Sequence, residues 1–148
     1  MNLNQNIEFA KLAEGEVRLQ NGNHKLYKCP AGYQTIGYGY NIEANGISES
    51  TAEMLLRRCL GDSVIILESN VQSWSDLHDA RKSVLVDMCF NMGWPTLSKF
   101  KKMFAALERG DYQEAANQMM DSKWYRQVGI RGKKLVESMR SGLWQSYK

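Results

Sequence analysis

The hydrophobic pattern of this chain changes character at Ser48. Before that residue, short stretches of alternating polarity are separated by turns containing glycine and asparagine, as is typical of strands in a small sheet. After it, apolar residues recur at helical spacing into the C-terminal region. The change predicts an α+β fold with its strands confined to the first third of the chain, and the 148 residues suffice for about one domain.

Four elements are predicted before Ser48. Apolar residues on one side of the first stretch predict a helix that Gly15 ends, and an Asn-Gly step predicts a hairpin turn between two short strands. In a third strand, alternation puts Thr35 on one face with two glycines, where a ligand could approach closely; a bend or bulge is the alternative. The elements are a helix at 4–13 and strands at 17–19, 25–28 and 33–40.

The rest of the chain is predicted to be helical. Ser50 to Glu53 has the spacing of a capping box at the start of a long helix, which we expect to bridge a β-containing lobe and a helical lobe. Asp111 is expected to cap a later helix. Cys59, Cys89 and the four tryptophans are expected in the core. The predicted helices cover about 49–69, 76–92, 96–109, 112–120 and 130–139.

Composition excludes several classes of function. The net charge is only +3 and the basic residues are scattered, apart from the pairs Lys101-Lys102 and Lys133-Lys134, so no nucleic-acid partner is expected. The three cysteines are odd in number and widely spaced, and this favours a reducing compartment over a disulfide framework. Their positions also lack the spacing of a zinc site. We therefore expect neither a metal nor another cofactor.

The start of the chain also carries a prediction. It lacks the basic residues and apolar run of a signal peptide, and no stretch approaches the ~20 apolar residues of a membrane span. We therefore expect a protein that is made in the cytoplasm, forms no stable association with a membrane and is monomeric.

Glu14, Cys29 and Thr35 are the candidate site residues. Glu14 lies where the first helix passes into a loop, and Cys29 and Thr35 flank a turn that contains proline and glycine. A carboxyl, a thiol and a hydroxyl distributed over a small sheet fit a hydrolytic site, whereas a chance grouping in surface loops is the alternative.

The same residues resemble the active-site pattern of the phage-type lysozymes, glycoside hydrolase family 24. In that pattern Glu is followed after eight residues by Asp or Cys, and after five more by Thr. Here five residues lie between Cys29 and Thr35 but fourteen between Glu14 and Cys29, and the surplus falls in a hairpin turn that lengthens at little cost. The resemblance continues in order through segments 87–93, 114–116, 122–127, 131–134 and 142–148.

The resemblance implies a two-lobed, lysozyme-like fold in a single domain, 1–148. Its parts would be a β lobe at 13–47, a connecting helix at 48–70, and a helical lobe made of 1–12 and 71–148. It also implies an endolysin that acts on bacterial peptidoglycan. Such an enzyme would accumulate in the host cytoplasm and reach the periplasm and cell wall after a separate holin permeabilises the membrane.

The implied chemistry is hydrolysis of the β-1,4 bond between N-acetylmuramic acid and N-acetylglucosamine. Glu14 would be the general acid. Cys29 and Thr35 would position water, or Cys29 would act as a nucleophile. The alternative without a catalytic role is that Cys29 is a small buried side chain that fills space and that Thr35 is an ordinary threonine of a strand.

Other positions are matched to family residues by the resemblance. Arg131 matches an arginine that supports the catalytic acid, with a solvated helix cation as the alternative. Phe90 matches a cleft-lining aromatic, with core packing as the alternative. Asn41, Met103 and Gln118 align with sugar-contacting positions, although the residue types differ from those of the relatives.

Three further functions fit the same residues. The first is a lytic transglycosylase, which would use the sugar's own hydroxyl instead of water. The second is a Cys29-dependent amidase or peptidase with His24 or His78 as the base. The third is a cell-wall binding module without catalytic activity.

Overall fold

A computed structural model describes all residues from Met1 to Lys148. Nine α-helices and one antiparallel sheet of three strands, in the order β1-β2-β3, confirm the predicted α+β fold. None of the helices combines the length and apolar character that crossing a bilayer requires. The strands β1–β3 are Tyr27–Lys28, Gln34–Ile36 and Tyr40–Asn41; the helices α1–α9 are Asn4–Glu14, Ile42–Asn45, Glu49–Asn70, Asp79–Met92, Trp94–Leu97, Lys101–Glu108, Tyr112–Met120, Lys123–Val128 and Ile130–Ser141.

Internal contacts divide the chain into two compact units, Met1–Glu53 and Met54–Lys148, which we call the N unit and the C unit. The N unit holds the whole sheet. All the buried apolar residues of the hydrophobic core belong to the C unit. The lobe boundaries expected from the sequence, with 1–12 joining 71–148, stay a prediction.

The start of the N unit follows the sequence pattern closely. Helix α1 ends at Glu14 because Gly15 adopts a positive φ of 67°. The predicted hairpin forms, with the Lys25 N–H donating to the Val17 carbonyl at 2.8 Å. Strand pairing within it is limited to a single bridge between Arg18 and His24, so the predicted strand at 17–19 is wrong.

The single strand predicted at 33–40 is also wrong. The chain runs as β2 to Ile36, reverses, and returns as β3 from Tyr40, so that Ile36 pairs with Tyr40. Both glycines of the reversal have positive φ, 65° at Gly37 and 85° at Gly39, which strand geometry excludes and a tight turn requires. The two glycines therefore do not extend the face of Thr35, and the alternation argument fails at this point.

Helix α3 begins at Glu49 as predicted, but its cap is Ser48 and not Ser50. The Ser48 Oγ accepts a hydrogen bond from the Thr51 N–H at 3.2 Å, and the Ser48 carbonyl accepts from the Ala52 N–H at 2.9 Å. Ser50 is already the second residue of the helix. A capping side chain must precede the helix to accept hydrogen bonds from its first free N–H groups, so Ser50 cannot be the cap.

Helix α4 packs against α5 and α9 within the C unit. Arg81 is the charged residue that α4 buries. Its Nε donates to the Met139 carbonyl at 2.7 Å and its Nη2 to the Arg140 carbonyl at 3.1 Å, at the C-terminal end of α9 where a cation is favoured. The guanidinium also lies 3.6 Å from the centre of the Tyr112 ring. A buried cation thus fixes α4, α7 and α9 to one another.

Several sequence predictions for the C unit need correction. The helix predicted at 96–109 is two helices, α5 and α6, because Lys99 and Phe100 make the tighter hydrogen bonds of turns. Helix α8 was not predicted. Cys59 is exposed and Trp144 is 54% exposed, so neither belongs to the core. The Asp111 cap is confirmed by a 3.0 Å hydrogen bond from the Glu114 N–H.

Candidate active site

The sheet of the N unit brings Cys29 and Thr35 together. Thr35 lies in the central strand, β2, opposite Tyr27 of β1 and Asn41 of β3. Cys29 directly follows β1, and its N–H donates to the Tyr33 carbonyl at 2.9 Å. The Thr35 hydroxyl is among the groups that hold the pKa of the Cys29 thiol below its ordinary value, so the two side chains lie near each other.

Cys29 opens the turn between β1 and β2. Its carbonyl accepts from the Gly32 N–H at 2.8 Å, and Pro30 occupies the second turn position, for which its fixed φ is suited. Hydrogen bonding from the Tyr33 backbone is the largest of the influences that hold the pKa of the Cys29 thiol below its ordinary value, although burial opposes them. A lowered pKa enlarges the thiolate fraction near neutral pH.

Thr35 is the one buried residue of the N unit, with 2% of its surface exposed. Its hydroxyl donates to the Tyr33 carbonyl at 2.9 Å. A hydroxyl has one hydrogen and two acceptor lone pairs. While the hydroxyl hydrogen is donated to Tyr33, the oxygen is free to accept a hydrogen bond from a water or from the thiol. If the hydroxyl rotates so that its hydrogen points at the sulfur, it stabilises the thiolate instead.

Glu14 is the last residue of α1, and its side chain lies against the β2–β3 turn. A Cβ placed on Gly39 would come within 2.8 Å of both Cδ and Oε2 of Glu14. The carboxylate therefore occupies the space that the missing side chain of Gly39 leaves open. It makes no hydrogen bond or ion pair within the structure, so both oxygens are available to a ligand.

Glu16 is the local competitor for the role of acid, and its surroundings differ. Its Oε2 lies 2.6 Å from Nη2 of Arg18, and this hydrogen bond is the main reason that the pKa of Glu16 is held below its usual range. The same guanidinium bonds the Tyr38 hydroxyl at 3.2 Å. A carboxyl kept ionised in this way is a poor proton donor, which leaves Glu14 as the better candidate.

Asn41 faces Thr35 across the sheet, but its side chain has a structural task. Its Oδ1 accepts from the Ala44 N–H at 3.0 Å and so caps the short helix α2. The side-chain nitrogen remains free for a ligand. Sugar binding by Asn41 stays a prediction.

Arg131 lies on α9 and pairs with Asp87 of α4. Its Nε and Nη2 donate to the two carboxylate oxygens at 2.8 Å and 2.9 Å, in a bidentate ion pair. Sequence reasoning placed Asp87 in a resembling segment without giving it a role. The bidentate geometry fixes the guanidinium plane and leaves Nη1 for another acceptor. Support of Glu14 by Arg131 stays a prediction.

The remaining predicted contacts all belong to the C unit. Phe90 is 39% exposed, so it is not fully used in core packing. Gln118 is half-buried and donates from Nε2 to Oε1 of Glu114 at 2.6 Å. Met103 is fully buried, forming part of the floor of a pocket that Gln118 also lines, so it presents almost no surface to a sugar. Phe90 is not among the residues that line that pocket.

Neither a metal site nor a histidine base accompanies the thiol. Nowhere do three or more His, Cys, Asp or Glu side chains converge as metal ligands would. The His24 ring packs edge-on against Tyr38, with 4.9 Å between ring centres. The largest influences on the pKa of the Cys29 thiol are backbone groups, burial and Thr35, and the buried Nδ1 of His24 makes no hydrogen bond.

Comparisons with known proteins identify the family of the chain. The sequence model of the phage lysozyme family matches residues 18–141, a range that includes Cys29, Thr35 and Arg131 and begins just after Glu14. Probable T4-type lysozymes 1 and 2 of Dictyostelium discoideum are 26% and 27% identical to this chain, each over 84% of it and 90% of the relative. The pre-baseplate central spike protein Gp5 of Enterobacteria phage T4 is 26% identical over 97% of this chain and 29% of its own length.

The family match covers far more than half of the chain, and the α+β fold is consistent with it. The chain therefore belongs to the phage lysozyme family and is a lysozyme-like peptidoglycan hydrolase.

Proposed function

We propose that the protein hydrolyses the β-1,4 bond between N-acetylmuramic acid and N-acetylglucosamine, with Glu14 as the general acid. The observation that carries the proposal is the placement of an unpaired Glu14 carboxylate against Gly39, in the same hairpin whose strand β2 sets Thr35 beside Cys29. The N unit thus supplies an acid at the end of α1, a thiol at the start of the β1–β2 turn and a hydroxyl in β2.

The acid is needed because the leaving sugar oxygen must receive a proton as the bond breaks. Glu14 suits this step better than Glu16, whose carboxylate is occupied by Arg18. The glycine at position 39 allows the carboxylate to lie against the turn backbone.

Cys29 has two possible roles that differ in bond making. As a nucleophile, the thiolate would form a covalent bond to the sugar carbon and water would cleave it in a second step, retaining the configuration. As a hydrogen-bond partner, the thiol would hold a water together with the Thr35 oxygen, and direct attack by that water would invert the configuration. The lowered pKa of the Cys29 thiol fits either role.

The biological part of the proposal follows from family membership. The enzyme would be an endolysin that lyses its bacterial host from within after a holin permeabilises the membrane. Phe90, Asn41 and Gln118 would contact the substrate, and Arg131 would support the acid. Met103, which is fully buried, would act only by supporting the pocket that Gln118 lines. We expect a monomer that acts on the cell wall without binding nucleic acid.

Product analysis of digested sacculi tests the bond and the reaction together. We expect new reducing ends on N-acetylmuramic acid with the mass of simple hydrolysis. An anhydro-muramic product, lighter by one water, would assign a lytic transglycosylase instead. New amino groups without reducing ends would indicate the amidase, and binding without soluble product would indicate a non-catalytic module.

The contact between Glu14 and Gly39 gives a matched pair of variants. Gly39→Ala should lower activity by about tenfold to a hundredfold, because its Cβ would displace the carboxylate, and small misplacements of catalytic groups have effects of this size. Gly37→Ala has a similarly positive φ, so its backbone strain should be similar, but its Cβ would meet nothing within 4 Å. Initial rates on sacculi, with melting temperatures to compare stability, make the test; equal losses of activity would contradict it.

A further inference from the structure

The hairpin at 17–25 contains the surplus residues of this chain, which lengthen the interval between Glu14 and Cys29 beyond that of the family pattern. The proposed function gives these residues no role. Backbone hydrogen bonds close the hairpin, among them one from the Leu19 N–H to the Asn23 carbonyl at 2.8 Å. A hairpin closed in this way holds its side chains in fixed directions, so it can support a neighbouring part of the N unit.

Two side chains of this hairpin converge on Tyr38. Nη2 of Arg18 donates to the Tyr38 hydroxyl oxygen at 3.2 Å, and the edge-on contact of the His24 ring lies on the same side chain. Nη1 of Arg18 also donates to the Gly22 carbonyl at 2.7 Å, so the hairpin itself holds the guanidinium, independently of Glu16. Because the buried Nδ1 of His24 has no hydrogen-bond partner, that ring supports Tyr38 by packing.

Tyr38 also contacts the helix that carries Glu14. Nζ of Lys11 lies 5.9 Å from the centre of the Tyr38 ring, within the range of a cation–π contact. Lys11 belongs to the last turn of α1, which ends at Glu14. Along the chain, Tyr38 directly precedes Gly39, whose missing side chain leaves the space for the Glu14 carboxylate. The Tyr38 side chain is therefore held from two sides, by the hairpin and by α1, where the turn meets the acid.

The β2–β3 turn needs such support because its own backbone is weakly constrained. Tyr38 stands between Gly37 and Gly39, and glycine has more conformational freedom than any other residue. The strands on either side are only three and two residues long. If Tyr38 were released, the position of Gly39 relative to α1 would vary, and a catalytic group that is misplaced by about 1 Å loses much of its effect on the rate.

We propose that Tyr38 is a positioning residue for the general acid, and that the surplus hairpin holds Tyr38 in place through Arg18 and His24. This inference rests on the proposed function, because it takes Glu14 as the acid. Each of the contacts with Tyr38 is weak on its own, but together they restrict one side chain from several directions. Tyr38 acts through the position of Gly39 and not on the substrate. The same contacts give His24 a purpose other than that of a base.

The first test compares two tyrosines of the same β2–β3 hairpin. Tyr38→Ala should lower kcat on sacculi by about tenfold with KM nearly unchanged, because a displaced acid affects the chemical step and not binding. Tyr38→Phe keeps the ring contacts and loses only the hydrogen bond from the guanidinium, so its loss should be about twofold. The control is Tyr40→Ala, which removes a similarly exposed tyrosine whose hydroxyl donates to the Gly46 carbonyl. It should keep the kcat of the wild type.

The second test concerns the hairpin. His24→Ala removes the ring that packs on Tyr38 and should lower kcat by about threefold. His24→Phe keeps a ring at this place but cannot take up a proton, so it should restore the activity of the wild type. A histidine that acted as a base would be lost equally in both variants, and equal losses would overturn the packing role of the hairpin.

A double-mutant cycle separates positioning from a general effect on the fold. In the Glu14→Gln background the acid is already absent, so adding Tyr38→Ala should cause no further loss of the residual rate. A further loss of about tenfold there, or full activity of Tyr38→Ala alone, would overturn the inference.

A structural readout keeps this inference distinct from the proposed function. If the wild type does not hydrolyse sacculi, the proposed function fails, and the nuclear Overhauser contact between the Glu14 side chain and the Gly39 Hα protons then decides the inference. That contact should persist in Tyr40→Ala and weaken in Tyr38→Ala. Its persistence at full strength in Tyr38→Ala, or its absence from the wild type, would show that Tyr38 does not position the carboxylate.

Discussion

Replacing Glu14 with Gln should lower the rate of peptidoglycan hydrolysis by about a hundredfold to ten-thousandfold, the range that a general acid contributes. Gln keeps the shape of the side chain and removes the proton that the leaving oxygen needs. Because the Glu14 side chain is exposed at a helix end and makes no hydrogen bond, the melting temperature should not change. Release of reducing ends from purified sacculi and thermal unfolding of the same preparation measure the two effects.

Glu16→Gln is the matched control for this experiment. It removes an equal charge only two residues away and breaks the ion pair with Arg18, which joins that side chain to Tyr38. We expect nearly full activity, because this carboxylate is already committed to a cation. If Glu16→Gln were the inactive variant and Glu14→Gln the active one, the assignment of the acid would have to be reversed.

Sequence reasoning located the helices well because their signals are local. Asp111 begins the helix at 112–120, and a glycine ends each of the helices α1 and α4. These effects depend on the residue and its neighbours in the chain and need no tertiary context. The small sheet was harder. The stretch 33–40 alternates like one strand, yet two glycines at positive φ turn it into a hairpin, and alternation alone cannot distinguish the two.

The sequence predicts residue types for the candidate site but not its geometry. The motif supplied Glu14, Cys29 and Thr35, whereas the role of Gly39 depends on a contact between α1 and a turn 25 residues later in the chain. The pairing of Asp87 with Arg131 crosses 44 residues in the same way. Such contacts carry no local signal, so only the folded structure reveals them.

The second large effect is expected at Cys29. Cys29→Ala should lower the hydrolysis rate by about a hundredfold or more, because it removes either the nucleophile or the group that holds the attacking water. Cys29→Ser keeps a hydrogen-bonding group of similar shape but is a far weaker nucleophile at neutral pH. Activity that survives in the serine variant therefore favours water positioning, and activity lost in both favours the nucleophile. Proton NMR of the first-formed anomer from the wild type decides independently, by inversion or retention.

The pH dependence of the wild type and of Cys29→Asp extends this test. A thiolate that takes part in the reaction makes the rate rise as the pH increases through the thiol pKa, and the backbone around Tyr33 moves that rise below the ordinary pH range of cysteine. An aspartate ionises near pH 4, so in Cys29→Asp the rise should shift to lower pH by several units. Initial rates from pH 4 to pH 9 on sacculi measure this rise in both proteins. Identical profiles for the two proteins, or full activity in Cys29→Ala, would show that the thiol has no part in the reaction and that its contact with Thr35 is structural.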